Sequence, residues 1–394
     1  MGGLKIPFSL QADHVGVARC SANGAMGALL ARLSAHTRAL HAVLPAGLAR
    51  GHLGNPAASL KVEEMYGLPV LLSGLASMVL GIPELDALDH HYKVTLERLL
   101  RLYPRTPAPF VYLLSGRLPA RAVLHLRQLT LLGMIARMGS ESILYRLCSY
   151  SLNNPPPIPH SSSSTLWFVQ VQQLCSMYGL PCPLKVLAWA PGKGPWKALI
   201  RRQVLEHWGS LLRAQAADLP SLAHLRPSHL SLSTPSRILT SCGNSGHEVR
   251  KMTVQIRMSS GRYRTCWLRR HWSEDSSGAC RVPGCTGDTP GTLLHLATGQ
   301  CPGLASATAS AVAHWQQYLV AQPHLSDLLL SLAASEPDDF LAFLLDPCSH
   351  AASLALAQQH GQVVLDQLCH LTRSWLYTHH LARFRALDLW ERLI

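Results

Sequence analysis

The stretch LDALDHHYKVTLERLLRLY, residues 85–103, repeats its leucines and tyrosines at steps of three and four residues. This period places the large apolar side chains on one face of an α-helix and most charged side chains on the other faces. Proline has no backbone N–H to continue a helix, so the helix is predicted to end before Pro104. The apolar positions are Leu85, Leu88, Tyr92, Leu96, Leu99 and Tyr103.

The same helical period recurs through the rest of the chain, interrupted at prolines and glycines. The further helical runs are residues 117–138, 166–217 and 305–394. Strand signals are scarce, and Met252 to Met258 is the best short candidate. The sequence NNPPPIPHSSSST at 153–165 is typical of a linker, and residues 220–246 are predicted to be irregular. These patterns together predict a mainly α fold.

The charge of the chain is strongly basic. Lys and Arg number 35 against 22 Asp and Glu, which gives a net charge of +13, although only 14% of the residues are charged. Such an excess favours polyanionic partners, meaning nucleic acid or an anionic membrane surface.

Residues 65–83 are uncharged and apolar over a length that approaches a membrane span. Gly67, Pro69, Gly74 and Gly81 divide this stretch into short pieces. We therefore expect a buried helix or helical turn here, with a transmembrane helix as the alternative, and we expect no membrane partner.

The chain has 11 cysteines, and its opening residues lack the apolar segment of a secretory signal. We therefore expect a nuclear or cytoplasmic protein, not a secreted one, in which the thiols stay reduced. Clustered cysteines in such a protein are better interpreted as metal ligands than as disulfides.

One cysteine cluster has the spacing of a zinc site. Cys280, Cys285, His295 and Cys301 form the pattern C-x4-C-x9-H-x5-C, with turn-forming residues between the first pair. Zinc takes four sulfur or nitrogen ligands at tetrahedral corners, so these residues are the predicted ligands. Leu293 and Leu294 are expected to pack behind the metal. Ordinary buried thiols beside a surface histidine remain the alternative.

A basic strip lies immediately upstream of this cluster. Residues 250–272 contain seven Lys or Arg residues and no carboxylate, with aromatic residues between them. Cationic groups bind phosphates and flat rings stack on unpaired bases, so RNA or DNA contact is predicted, with a membrane surface or a solvated helix face as alternatives. The predicted contact residues are Arg250, Lys251, Arg257, Arg262, Tyr263, Arg264, Trp267, Arg269, Arg270 and Trp272.

A second, weaker basic group includes Lys197 and Arg201, which are four residues apart and share a helix face.

Patterns typical of catalysis are absent from the sequence: no phosphate-binding loop, nucleophile elbow or H-E-x-x-H motif is found. The adjacent acids Asp338 and Asp339 follow Pro337 and are interpreted as the start of a helix.

Several blocks resemble the region that follows the polymerase in LINE-type (non-LTR) retrotransposon reverse transcriptases. TCWLRRHW at 265–272, the Cys280/Cys285 pair, TLLH at 292–295 and Cys301-Pro302 occur in the family's order, although the first pair is commonly closer in the family. HVGV at 14–17 resembles the strand that closes the palm. Residues 66–74 and 99–138 resemble the thumb.

This resemblance implies a non-catalytic part of a polymerase. The paired-aspartate hairpin and the endonuclease of the family have no counterpart in this sequence, so we expect RNA or DNA binding without enzymatic activity, and an upstream polymerase portion as a further partner. The alternatives are a membrane-associated or protein-interaction helical protein, and an active polymerase or nuclease. The implied organisation is a palm-edge remnant at 1–22, a helical thumb-like domain at 23–150, a linker at 151–165, a helical connector at 166–246, a basic segment with the zinc module at 247–304 and a helical tail at 305–394.

Overall fold

A computed structural model describes residues 11–14, 17–20, 24–43, 54–154, 167–224, 230–261, 263, 279–285 and 291–387. Within these ranges the protein is mainly helical, which confirms the predicted fold class. Of the linker predicted at 151–165, residues 151–153 belong to the helix Ile143–Asn153, so the prediction is wrong there, and residues 155–165 lie outside the described residues.

The described residues from 11 to 217 form two short strands and the helices α1 to α10. The elements are β1 Gln11–His14, β2 Val17–Cys20, α1 Gly24–Val43, α2 Pro56–Val62, a π-helical turn Glu63–Gly67, α3 Leu68–Leu71, a 3-10 turn Leu75–Ser77, α4 Ile82–Leu99, α5 Ala108–Ser115, α6 Ala120–Arg137, α7 Ile143–Asn153, α8 Trp167–Met177, α9 Pro183–Trp189 and α10 Lys193–Ala217.

The C-terminal half continues with helices of varied length. They are a 3-10 turn Pro220–Leu222, α11 Arg237–Thr240, α12 Gly246–Ser259, α13 Leu293–Ala297, a 3-10 turn Pro302–Leu304, α14 Ala305–Ala321, a 3-10 turn Pro323–Leu325, α15 Ser326–Ala333, α16 Pro337–Leu345, α17 Ala351–His360 and α18 Val363–Ala386.

The local structure differs from the sequence predictions in two further places and agrees with them in another. Residues 252–258 lie inside α12, so the predicted strand there is wrong. His14 pairs with Val17 in an antiparallel register, so one strand ends and the next begins where a single strand was expected. The apolar stretch at 65–83 is broken into a π-turn, a short helix and a 3-10 turn, as its glycines and prolines predict.

None of the helices in the described ranges is both long enough and apolar enough to cross a membrane.

The chain divides into two compact units. The first comprises Met1–Ala46, Leu60–Thr95 and Leu118–Leu211, and the second Gly47–Ser59, Leu96–Arg117 and Leu212–Ile394.

The core of the first unit forms where α6, α8, α9 and the start of α10 pack together. Trp196 lies at its centre with 1% of its surface exposed, and its indole N–H donates to the Leu129 carbonyl at 2.8 Å. Gly133 makes room for this ring, because a Cβ there would lie 2.2 Å from Trp196 Cδ1. The large ring and the missing side chain are therefore complementary.

A buried hydrogen-bonded chain lies in the same unit. The indole N–H of Trp208 donates to Tyr178 Oη at 3.0 Å, and the Tyr178 hydroxyl lies 2.7 Å from His125 Nδ1. The Tyr178 hydroxyl has one proton to donate, and His125 Nδ1 accepts it when the neutral imidazole carries its own proton on Nε2. Burial lowers the pKa of His125 to about 4.

We expect His125 to make the first unit less stable in acid. Between pH 6.5 and about 4 the unfolded chain binds a proton at this imidazole that the folded chain excludes. The free energy of unfolding therefore decreases as the pH is lowered from 6.5 to about 4. The full shift corresponds to roughly 3 kcal/mol. His125→Asn keeps an acceptor oxygen near the position of Nδ1 and removes the titration. Urea midpoints at pH 7 and pH 4.5 should therefore differ less in the variant, and equal differences would contradict this assignment.

The second unit is built around α18. Helices α12, α14, α16 and α17 all pack against it. Gln255 of α12 donates from Nε2 to the Leu344 carbonyl at 3.0 Å and to Thr372 Oγ1 at 3.1 Å, which links α12 to both α16 and α18. The Trp375 indole N–H donates to the Ala297 carbonyl at 2.7 Å. This last bond ties α18 to the helix that carries His295.

Candidate metal centre

The four predicted ligands lie on three short local structures of the second unit. Cys280 and Cys285 flank a turn in which the Cys285 N–H donates to the Val282 carbonyl at 3.0 Å. His295 lies in α13, whose N-terminus is capped by Thr292 Oγ1 accepting from the His295 N–H at 3.2 Å. Cys301 immediately precedes the 3-10 turn Pro302–Leu304. The first turn thus carries two of the predicted ligands, the capped helix carries the third and the second turn carries the fourth.

These side chains converge on a single point. One ligand atom from each of Cys280, Cys285, His295 and Cys301 lies within 4.8 Å of all the others. Cys280 Sγ and Cys301 Sγ are 3.7 Å apart, and Cys285 Sγ is 3.5 Å from His295 Nε2. Around a tetrahedral zinc ion, bonds of about 2.3 Å to sulfur and about 2.05 Å to nitrogen give edges of about 3.8 and about 3.6 Å. The cluster can therefore hold a metal ion.

The cluster is shielded from water by apolar packing. Cys280, His295 and Cys301 are buried, and Cys285 is partly exposed. Val282, Leu296 and Leu304 pack around the sulfurs, together with Ala307. Leu296 occupies the place that was predicted for Leu293 and Leu294, which are only half-buried. The Thr292 cap fixes the start of α13, and one helical turn from that cap places Leu296 on the inner side.

Close backbone contact brings the two turns together. A Cβ on Gly303 would lie 2.3 Å from the Pro283 carbonyl oxygen and 2.7 Å from Val282 Cγ1. Only glycine allows the turn after Cys301 to approach the turn between Cys280 and Cys285 so closely. Gly303 therefore sets the distance between the first and last ligands.

Burial sets the protonation of the ligands. It raises the pKa of Cys301 to about 12, raises that of Cys280 and lowers that of His295. The imidazole is therefore neutral and ready to coordinate at neutral pH, whereas the two buried thiols hold protons that a metal must displace. His295 Nδ1 is buried without a hydrogen-bond partner among the described residues.

The basic strip is described in part, and most of its described members make contacts within the chain. Lys251 Nζ lies 3.1 Å from Glu248 Oε1 and donates to Ser374 Oγ at 3.2 Å. Arg257 donates from Nε to the Arg101 carbonyl at 2.7 Å and lies over a tyrosine ring. Arg250, by contrast, is exposed.

Tyr263 is also engaged within the chain. Its hydroxyl lies 2.7 Å from His380 Nδ1, the Arg383 guanidinium lies 5.8 Å from its ring centroid, and burial raises its pKa to about 12. The other predicted contact residues lie outside the described residues; they are Arg262, Arg264, Trp267, Arg269, Arg270 and Trp272.

The second basic group lies on the surface of α10. Lys197 and Arg201 are both exposed and are separated by one helical turn, as predicted. Trp189, at the end of the preceding helix, is 57% exposed, whereas Trp196 is buried in the core. The structure therefore presents two adjacent cations at this surface.

Comparison of the chain with family models, with curated proteins and with solved structures finds no match in any of the three.

Proposed function

We propose that this chain binds RNA or DNA as the non-catalytic C-terminal part of a LINE-type reverse transcriptase, with a zinc ion holding its distal module together. The observation that carries the proposal is the convergence of Cys280, Cys285, His295 and Cys301 within 4.8 Å of one another. Beside them in sequence lies the strip of residues 250–272, which has seven cations and no carboxylate.

Zinc is the metal that best suits this donor set. Three thiolates and one imidazole are soft or borderline ligands, and they exclude the hard cations that prefer oxygen. All four positions of a tetrahedron are taken by protein atoms, so no position is open for a substrate or an activated water. We therefore assign the ion a structural role.

The proposed nucleic-acid contact rests on charge that is available at the surface. Lys197, Arg201 and Arg250 are exposed cations. The net charge of +13 adds long-range attraction toward a phosphate backbone. Arg257 and Tyr263 are held by partners inside the chain, so in the proposed complex they support the fold beside the strip.

The proposal assigns no catalysis to this chain. Asp338 and Asp339 stand in the first turn of α16, where carboxylates stabilise the helix dipole. Asp339 Oδ2 accepts from His350 Nε2 at 3.2 Å. These contacts account for the acidic pair without a metal-dependent phosphoryl transfer.

We expect binding to single-stranded RNA or DNA that weakens with salt and depends on the exposed cations. Each phosphate contact contributes about 0.7 to the slope of log affinity against log salt for single strands. The double variant Lys197→Gln/Arg201→Gln should lower that slope by about 1.4 and weaken binding about tenfold at about 0.2 M KCl. Fluorescence anisotropy with a labelled oligonucleotide, titrated at several KCl concentrations, measures both quantities.

The matched control is Lys197→Arg/Arg201→Lys, which keeps the charge at both positions and should bind as the wild type does. Neutralising Arg262, Arg264, Arg269 and Arg270 tests the basic strip in the same assay. Neutral variants of both groups that bind with unchanged affinity and slope would contradict the proposed nucleic-acid function.

A protein-interaction role is the second candidate, and helix α7 favours it. Ile143, Leu147 and Tyr150 recur at helical spacing on α7, and each is at least half exposed. An apolar helix face of this kind is a common docking surface for another protein. If the double variant Ile143→Ser/Leu147→Ser binds oligonucleotides as the wild type does but no longer binds a partner protein, this face of α7 serves protein interaction.

A further inference from the structure

Two cysteines outside the metal cluster lie in contact in the second unit. Cys348 is in the loop between α16 and α17, and Cys369 lies in α18. Their Sγ atoms are 3.3 Å apart, closer than the 3.7 Å between Cys280 and Cys301. Both thiols are free.

This dithiol is reachable from a cavity of about 410 Å³. Cys348 lines the cavity and is half-buried, whereas Cys369 is fully buried behind it. Arg237 and Ser349 line the same space. A small polar oxidant that enters the cavity therefore meets the Cys348 sulfur first.

Two arginines lie close to the pair. Arg373 follows Cys369 by one helical turn on α18, has 1% of its surface exposed, and has a buried Nε without a hydrogen-bond partner among the described residues. Arg237 lies on the Cys348 side and donates from Nε and Nη2 to the two carboxylate oxygens of Asp366, at 2.8 and 2.9 Å. Both cations favour a thiolate, while the nearby Asp346 carboxylate opposes it.

The hydrogen bond between the two sulfurs divides the protons unequally. It lowers the pKa of Cys369 and raises that of Cys348, because one proton bridges both sulfurs once the other has left. The first proton therefore leaves Cys369, whose thiolate accepts the Cys348 S–H and can take up that proton when the Cys348 sulfur, which faces the cavity, reacts.

We infer that Cys348 and Cys369 form a redox-sensitive dithiol, which a hydroperoxide entering the cavity beside Arg237 converts into a disulfide. This site is independent of the metal cluster and of the proposed nucleic-acid function.

The reaction balances in two steps with hydrogen peroxide as the oxidant. The Cys348 sulfur attacks one peroxide oxygen as its proton passes to the Cys369 thiolate. The O–O bond breaks, and the leaving hydroxide takes up from solvent the proton that Cys369 had released, which gives water and a sulfenic acid on Cys348. Cys369 sulfur then attacks Cys348 Sγ, the S–O bond breaks, and the departing hydroxide takes the Cys369 proton as the second water. The two sulfurs are oxidised by two electrons in total, and the peroxide is reduced by two.

Peptide mapping of the full chain tests this inference. The reduced, zinc-loaded protein is treated with low concentrations of hydrogen peroxide, its remaining thiols are alkylated, and its peptides are analysed by mass spectrometry. We expect a Cys348–Cys369 cross-linked peptide, two hydrogens lighter than its reduced parts and restored to them by dithiothreitol. It should form before the exposed Cys182 is oxidised, because the Cys348 sulfur meets the peroxide in the cavity and the Cys369 sulfur lies 3.3 Å away.

Variants distinguish a paired reaction from independent oxidation. Cys348→Ser, in a loop and half-buried, should leave Cys369 reduced under the same treatment, and circular dichroism checks that this variant is folded. Cys182→Ser is the matched control and should leave cross-linking unchanged. Oxidation of Cys182 while Cys348 and Cys369 stay reduced, or their separate oxidation to sulfinic acids without a cross-link, would overturn the inference.

Discussion

Cys301→Ser is expected to abolish zinc binding and to unfold the module that the metal holds. Cys301 is fully buried, and its sulfur is one of the four proposed ligands, so the variant leaves an incomplete site with a hydroxyl in an apolar cluster. Structural zinc contributes about 10–16 kcal/mol to the folding of small zinc-binding peptides, and little apolar core replaces that contribution here. Elemental analysis should fall from about one zinc per chain to none.

The double variant Cys280→Ser/Cys285→Ser should give the same loss, because it removes both ligands of the first turn. Cys182→Ser provides the control, since this exposed cysteine lies outside the cluster and its loss should leave the zinc content unchanged. Hydrogen exchange localises the effect: amides of 280–285 and α13 should lose protection on chelation, while those of the first unit keep it. Full zinc content in Cys301→Ser would exclude the proposed ligand set.

Trp196→Ala is expected to be the most destabilising single substitution in the first unit. The indole is almost fully buried between α6 and its neighbours, and its N–H bond to the Leu129 carbonyl would also be lost. Truncation of a buried tryptophan to alanine costs about 3–5 kcal/mol, because it leaves a cavity that the surrounding helices only partly fill. Chemical denaturation followed by circular dichroism measures the loss.

The chain supplies a matched control in Trp189, which is 57% exposed seven residues earlier. Trp189→Ala should change the unfolding free energy by less than about 0.5 kcal/mol. Gly133→Ala gives an independent check. It places a Cβ against the same indole ring and should also destabilise the first unit. Equal effects of the two tryptophan variants would show that Trp196 is not the centre of this core.

The helices were largely predictable because their ends coincide with prolines and their faces follow the helical period. Helix α12 is the instructive failure. Met252, Val254, Ile256 and Met258 alternate with polar residues as a strand would, yet all four are buried in a helix. The two-residue alternation was misleading because α12 is enclosed by other parts of the protein on most sides, so its apolar residues need not lie on one face.

A local signal for the correct structure of α12 was present in the sequence. Ser245 stands three residues before Glu248, the spacing of a capping box at a helix N-terminus. In the structure Ser245 Oγ accepts from the Glu248 N–H at 3.2 Å. Start signals of this kind outweigh a short alternating pattern when the two disagree.

The predicted metal ligands could be chosen from their spacing alone, whereas the contacts that the basic residues make within the chain could not be predicted. Four donors within 22 residues can be chosen from the sequence because zinc constrains both residue type and distance along the chain. Lys251 and Arg257 take partners 123 and 156 residues away in sequence, and no local pattern indicates such contacts. The same reason hid the Cys348–Cys369 contact, whose partners are brought together only by the packing of α18.

Helix α18 extends from the dithiol to the metal module. Cys369 lies in its first half, Trp375 holds it to α13 at its middle, and Ala382 and Ala386 cover the apolar side of the metal cluster near its end. At 1.5 Å per residue, about 25 Å separates Cys369 from Ala386 along the helix axis. An ion bound by the cluster would therefore stabilise the final turns of α18 through Ala382 and Ala386, while the first half of the helix is held by its own neighbours.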